Sequence, residues 1–135
     1  MISVKTSQEI KIMAEGGRIL AQIIKSLAQA VRPGIATKDL DKLAEELVLS
    51  YGVKPAFLGY GGFPATVCIS VNDEVVHGVP GDRILLAGDL VGIDMGIVHQ
   101  GLNVDSAMTV PDLGSKSYRQ WADENHKHYK LLTVT

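Results

Sequence analysis

This sequence has little cysteine, little excess charge and no long apolar run. Cys68 is the only cysteine among 135 residues, so no disulfide can form within the chain. A reducing compartment, and hence a cytoplasmic location, is the simplest expectation. Thirteen Lys and Arg residues against fifteen Asp and Glu residues give a net charge of −2. We therefore expect no binding to nucleic acid and none to an anionic membrane.

Targeting and membrane signals are also missing. Residues 1–5 lack the charged-then-apolar layout of a signal peptide, and Glu15, Arg18 and Lys25 interrupt the only long apolar segment. Neither secretion nor a membrane span is predicted. The length fits one domain with a real core, and no internal repeat or low-complexity linker is present.

Two amphipathic helices are predicted in the first part of the chain. Thr6 and Glu9 form a capping-box pair that opens the first, and Arg32-Pro33-Gly34 ends it. Thr37 is expected to cap the second, and Gly52 to stop it. Their apolar or small positions recur every three or four residues: Ile10, Met13, Gly17, Leu20, Ile24, Leu27 and Val31, then Leu40, Leu43, Ala44, Leu47, Val48 and Tyr51.

The middle of the chain predicts strands joined by short turns. Residues 55–58, 65–71, 90–98 and 101–110 are apolar or alternating, and glycine-rich clusters separate them. Helices followed by such strands favour an α+β class, with the helices on one face of an antiparallel sheet. From about Gly114 the composition becomes charged and aromatic, which predicts a domain over 1–113 and a helical tail over 114–135.

Asp94 and Asp105 are the most informative polar residues. Both strands that carry them alternate with period two, and both aspartates point to the face without large apolar side chains. With a turn centred on His99-Gln100, the two would lie directly opposite each other, with β-carbons about 5 Å apart. Like charges so placed call for a cation between them, or for a proton on one of them.

An aspartate in or near a hairpin most often has an ordinary role, because it is solvated or caps a turn. Asp94 and Asp105, however, lie inside apolar runs several residues from the turn. Gly92 and Gly96 flank Asp94 on its own face, which would leave room for a ligand. The pattern therefore favours a metal or catalytic role.

The histidines differ in how strongly their positions indicate a functional role. His77 follows Val75-Val76 and precedes Gly78-Val79-Pro80, so it ends an apolar run where a loop begins, although a lone histidine there is more often structural. His126 and His128 are two apart on a predicted helix and do not share a face, so we expect a solvated surface. The same expectation holds for His99 in the turn.

Taken together, several segments closely resemble type I methionine aminopeptidases in order and in spacing, over about residues 2–111. The resemblance rests on Gly59-Tyr60-Gly61-Gly62-Phe63-Pro64, residues 68–80 (CISVNDEVVHGVP), residues 88–94 (GDLVGID) and Val104-Asp105-Ser106-Ala107. It implies one half of a pita-bread fold, in which two similar halves close around two divalent metals.

The resemblance also implies roles. Asp94 would be a bidentate ligand of one metal, Asp105 would bridge both, and His77 would contact the scissile amide and assist proton handling. Tyr60, Phe63 and Cys68, with Phe57 at the edge, would line a pocket for the N-terminal methionine side chain of a peptide, although without the resemblance ordinary core packing would be the simpler account of them. A carboxylate-rich dinuclear site suits Co, Mn, Fe or Zn.

The family completes its site with a Gly-His-Gly histidine and two glutamates from a second half, and this sequence offers no counterpart of them. Asn103-Val104 also stands where His-Gly is more usual. Metal binding by this chain alone is therefore expected to be weak, and its activity as a monomer low. Three interpretations stay open. The chain is the N-terminal half of a methionine aminopeptidase-like protein, as a fragment, a truncated gene product or one partner of a split enzyme; or it is a non-enzymatic half-fold homodimer that copies the two-half arrangement by symmetry; or it is an amide- or peptide-binding module that keeps the methionine pocket without chemistry.

Overall fold

The computed structural model describes residues 4–125 and 127–128. Two long helices, α1 (Ser7–Ala30) and α2 (Thr37–Ser50), precede a sheet of four strands, and a short helix, α3 (Tyr118–Glu124), follows it. The strands are β1 (Lys54–Pro55), β2 (Cys68–Val71), β3 (Leu90–His99) and β4 (Leu102–Pro111), all paired antiparallel. The predicted α+β class is confirmed. Within the described residues, no helix is long and apolar enough to cross a membrane.

Strand β3 is the centre of the sheet. It pairs with β4 along its whole length, while β2 and β1 pair with successive parts of its other edge. The core lies on one face, between the sheet and the two long helices. On that face the alternate residues of β3 are fully buried, as the period-two pattern predicted: Val91, Ile93, Met95 and Ile97.

Helix α1 begins as predicted. Thr6 accepts a hydrogen bond from the Glu9 N–H, and the Glu9 carboxylate accepts one from the Thr6 N–H. The buried stripe differs from the prediction, because Gly16 rather than Gly17 faces the core, Ile23 is buried and Ile10 is exposed. A Cβ at Gly16 would lie 3.1 Å from His99 and 3.3 Å from Val104, so this glycine lets the helix approach the hairpin closely.

The predicted cap of α2 was wrong in detail. Thr37 is the first helical residue, and its hydroxyl instead accepts from the Gly81 N–H and donates to the Gly81 carbonyl. The Asp39 carboxylate satisfies the N–H of Ala36, the residue before the helix. Gly52 does end the helix, with a φ of +66°. Thr37 therefore ties α2 to the loop that follows β2.

Two predicted strands are shorter than expected. The first, predicted over residues 55–58, is observed as Lys54–Pro55, because the chain then turns, with the Tyr60 N–H bonded to the Phe57 carbonyl. The second begins at Cys68, because the N–H groups of Thr66 and Val67 donate to Asp41 on α2 instead of to a strand. In the tail, the helix spans Tyr118–Glu124 and buries Trp121, while His126 and Leu132 lie outside the described residues.

Candidate metal site and substrate pocket

The hairpin of β3 and β4 places Asp94 and Asp105 on one face, but not directly opposite each other. The turn is Gln100-Gly101 rather than His99-Gln100, with φ of +47° and +82°, which fits the left-handed conformations of a two-residue type I′ turn. Asp94 consequently faces Ala107, and Asp105 faces Gly96. The predicted register was wrong by two residues. A shift of two keeps both side chains on the same face, as diagonal neighbours.

The two carboxylates influence each other. Burial raises the pKa of Asp94, and the charge of Asp105 and a hydrogen bond between the two carboxyl groups raise it further. The nearby His77 lowers it. A divalent cation beside the two carboxylates would relieve the repulsion between them.

The glycines beside Asp94 have another role than the one expected. They do not leave an open space: a Cβ at Gly96 would lie 2.9 Å from Phe57 Cε1, and one at Gly92 would lie 3.4 Å from the Ser70 carbonyl oxygen. The Phe57 ring packs directly against Gly96. Gly96 therefore positions an aromatic side chain next to the two carboxylates.

His77 reaches the site from a loop, not from the end of a strand. Strand β2 ends at Val71, where the Glu74 carboxylate accepts from the Val71 N–H and Asn72 turns the chain with a φ of +60°. The apolar pair that follows is exposed, with Val75 at 90% and Val76 at 62% of its surface open. The apolar pair before His77 is therefore part of an exposed loop and not of the core.

Contacts around Gly78 fix the loop that carries His77. The Gly78 carbonyl accepts from the Ile69 N–H at 2.9 Å, and its N–H donates to Ser70 Oγ at 3.1 Å. A Cβ at Gly78 would lie 2.1 Å from the Ile69 carbonyl oxygen, so only glycine fits. His77 itself adopts a φ of +57°, a conformation unusual for a residue with a side chain.

These groups meet in one cleft of about 600 Å³. All seven residues singled out in the sequence line it: Phe57, Tyr60, Phe63, Cys68, His77, Asp94 and Asp105. Three further residues of the glycine-rich segment also line the cleft, and the sequence had given them no role of their own: Gly61, Gly62 and Pro64. Positive φ values of +55° and +84° at the two glycines fold this segment into the wall of the cleft.

The walls of the cleft differ in chemistry. Aromatic rings form one side, with Tyr60 at the rim and 81% exposed, while Cys68 is 3% exposed and faces Asp94 across the strand pair. Burial and the charges of Asp94 and Asp105 raise the pKa of the Cys68 thiol to about 11. The thiol is therefore neutral at physiological pH and suits an apolar pocket better than nucleophilic chemistry.

The donor set for a metal is small. Asp94 and Asp105 provide two adjacent carboxylates, which fit one side of a divalent-cation site. Across residues 4–125 and 127–128, no group of three or more His, Cys, Asp and Glu side chains is arranged to hold a metal. The residues present fit such an ion only in part, and further ligands would have to come from outside them.

One anchor of the cleft was not foreseen. Asp41 Oδ1 accepts from the Thr66 N–H at 2.8 Å and from the Val67 N–H at 3.2 Å, immediately before Cys68. This bond joins α2 to the segment between the aromatic wall and β2. No local sequence signal predicts it, because the partners are 25 and 26 residues apart.

Comparison with known proteins identifies the family of this chain. Residues 11–132 match the model of metallopeptidase family M24. Methionine aminopeptidase 1 of Bacillus subtilis is 47% identical over 82% of this chain and 45% of its own length, and the methionine aminopeptidase of Clostridium acetobutylicum is 43% identical over 81% and 44%. The chain thus spans less than half the length of these curated relatives.

Solved structures agree with this result. The methionine aminopeptidase of Thermotoga maritima superimposes with a TM-score of 0.81 at 39% identity, over 88% of this chain and 48% of that one. The methionine aminopeptidase of Rickettsia prowazekii superimposes with a TM-score of 0.87 at 30% identity, over 100% of this chain and 51% of that one. The expected likeness to half of a pita-bread fold is thereby confirmed. The chain belongs to metallopeptidase family M24, and its relatives are methionine aminopeptidases.

Proposed function

We propose that this chain supplies one half of a dinuclear metallo-aminopeptidase site that removes N-terminal methionine from peptides. The observation that carries the proposal is the convergence of Asp94, Asp105 and His77 with an aromatic and sulfur-containing pocket in one cleft. Family membership supports it, because M24 is a family of metallopeptidases. A cytoplasmic setting is part of the proposal and rests on the single cysteine.

Each side chain would have a distinct task. Asp94 and Asp105 would hold Co, Mn, Fe or Zn, with Asp105 shared between two ions. A divalent metal in such a site supplies a hydroxide nucleophile near neutral pH. His77, held at the mouth by the Gly78 contacts, would bind the scissile amide and handle a proton there. The aromatic wall and Cys68 would accept the methionine thioether, since sulfur packs favourably against aromatic rings.

Two carboxylates are too few ligands for efficient catalysis. A catalytic metal usually keeps three protein ligands and one open position, and the described residues offer only two donors at this place. We therefore propose that the isolated monomer has little activity and that ligands from another chain complete the site. A complementary second half of an M24 domain or a second copy of this chain would be the source of further ligands.

The test is peptide hydrolysis with added metal. Purified chain with Mn²⁺ or Co²⁺ is expected to release little methionine from a Met-Ala peptide, whereas co-expression with the remaining part of an M24 relative should restore turnover. Asp94→Asn and Asp105→Asn should abolish that restored turnover, because an amide is a weaker ligand and lacks the compensating charge. Strong cleavage by the monomer, lost in both variants, would overturn the view that this site is incomplete.

A peptide-binding module is the second candidate, because aromatic and sulfur-containing side chains line one cleft of this chain, whereas the described residues offer no group of three or more metal ligands. It predicts binding of a methionine-terminal peptide without added metal and without hydrolysis. Isothermal titration with and without a chelator separates the two functions. Binding that is unaffected by the chelator, with no turnover in the co-expressed complex, would favour the module.

A further inference from the structure

The two edges of the sheet differ in whether another segment covers them. Along β2, the loop after the strand covers the outer edge, because the Ile69 N–H donates to the Gly78 carbonyl. Within residues 4–125 and 127–128, β4 pairs only with β3, and no other segment bonds to its outer edge. Strand β4 is therefore an open edge of ten residues.

The turn geometry shows which backbone groups are free. A two-residue turn closes on a hydrogen-bonded pair, here His99 and Leu102, and such pairs then alternate along the ladder. Residues of β4 with even numbers therefore bond to β3, while those with odd numbers point their N–H and C=O groups outward. No other described residue bonds to the outward N–H groups, which belong to Asn103, Asp105, Ala107 and Thr109.

Apart from the charge of Asp105, this edge lacks the features that usually protect one. Its register with β3 is continuous, so there is no bulge, and it has no lysine and no proline before Pro111. Every residue from Asp105 to Thr109 is exposed, and Met108 has 45% of its surface open. Such a strand is a template for pairing with another strand.

We propose that the edge of β4 binds β4 of a second copy of this chain, antiparallel and about a two-fold axis. A register centred on Ser106 places Ala107 of one copy opposite Asp105 of the other, and Thr109 opposite Asn103. It uses all four outward N–H groups of each copy. The inference rests on the proposed function, since the second copy would add its own Asp94 and Asp105 to the same face of the joined sheet.

Self-complementarity and size favour a second copy. In this register Met108 packs beside Val104 of the other copy, and Leu102 beside Val110, so the exposed Met108 and three partly buried apolar side chains become covered. The part of the Rickettsia prowazekii structure that this chain matches is 51% of that chain, so the remaining part is about the size of a second copy. A second copy about a two-fold axis also makes the contact self-complementary.

The same register makes the two Asp105 residues diagonal neighbours across the axis. Their repulsion opposes the dimer, and a divalent cation between them would relieve it. The dimer is therefore expected to tighten when Mn²⁺ is added. This dependence links the docking surface to the proposed metal site without any measurement of activity.

Sedimentation velocity combined with amide hydrogen exchange tests the proposal on the unmodified chain. We expect a dimer at micromolar concentration with Mn²⁺, and exchange at Asn103, Asp105, Ala107 and Thr109 slowed at least ~10-fold relative to the most dilute sample. A monomer at every concentration, or a dimer whose four amides exchange as in the dilute sample, overturns it. A protected dimer indifferent to Mn²⁺ keeps the docking surface and counts against the metal site.

A pair of variants tests the hydrogen bonds directly. Ala107→Pro removes one outward N–H and leaves the ladder to β3 intact, whereas Ala107→Thr keeps the N–H and suits a strand. Ala107→Pro should lose the dimer and Ala107→Thr should keep it. Equal dimerisation of both variants would contradict pairing through this edge, and if the proline variant does not fold, the exchange experiment on the unmodified chain decides alone.

Discussion

Phe57 lies against Gly96, and the space where a Cβ of Gly96 would stand is 2.9 Å from Phe57 Cε1. Gly96 faces Asp105 across the hairpin, so one small residue lets an aromatic ring approach the carboxylate pair. The pocket and the candidate metal site therefore share a backbone position. A change there affects both.

Gly96→Ala tests this contact. The added methyl group must displace Phe57 or Ala56, the latter 3.1 Å away, and we expect a loss of about 1–3 kcal/mol in the free energy of unfolding. Urea denaturation measures it. Gly17→Ala is the matched control, because no atom lies within 4 Å of its Cβ and alanine favours a helix by up to about 1 kcal/mol. Equal stability of Gly96→Ala and the parent would contradict the packing described.

Gly78→Ala should displace the loop that carries His77. Its Cβ would overlap backbone atoms of Ile69 and Ser70, which cannot move without breaking the sheet, so we expect a loss of at least about 2 kcal/mol. Gly81→Ala, with open space around its Cβ, should change little. The NMR signals of His77 should shift in the first variant and stay in place in the second. Unchanged signals in Gly78→Ala would show that this glycine does not position the histidine.

The hairpin shows how much the sequence predicts. Period-two alternation identified both strands, the buried face and the shared face of Asp94 and Asp105. The register depended on the position of the turn. Gly101 could have predicted that position, since a type I′ turn favours glycine at its second residue. The anchors Asp41 and Thr37 were not predictable, because each bonds to a backbone far along the chain and periodicity carries no record of such contacts.

The raised pKa of Asp94 gives a pH-dependent stability of definite sign. A carboxyl group whose pKa is higher in the folded state holds its proton more tightly there, so it lowers stability as the pH rises from its unfolded value of 3.8 through the raised folded value. Asp94→Asn should therefore be more stable than the parent at pH 7 without metal. The difference should shrink as the pH falls through the raised pKa.

Asp82→Asn is the control for that series. The hydrogen bond from Lys38 lowers the pKa of Asp82, so the ionised Asp82 carboxylate raises stability, whereas the ionised Asp94 carboxylate lowers it. Asp82→Asn should not stabilise the protein at pH 7. Denaturation midpoints between about pH 3 and pH 8 provide the comparison. An Asp94→Asn variant less stable than the parent at pH 7 in a chelator would contradict the charge conflict between Asp94 and Asp105.

Alkylation of Cys68 probes the floor of the pocket. With a pKa of about 11, the thiol should react with iodoacetamide at a rate that rises about tenfold per pH unit and shows no plateau below about pH 10. Asp105→Asn should lower the apparent pKa, since the charge of Asp105 contributes to raising it. A plateau near about pH 8.5, the value of a free thiol, would contradict the buried and acidic surroundings.

The central claim is that Asp94 and Asp105 together form one side of a divalent-cation site. Electron paramagnetic resonance of Mn²⁺ measures free and bound metal directly in a titration of the chain. We expect weak but saturable binding that is lost in both Asp94→Asn and Asp105→Asn and kept in Asp82→Asn. Binding that is equal in all four proteins, or absent even when the chain is dimeric, would contradict the claim.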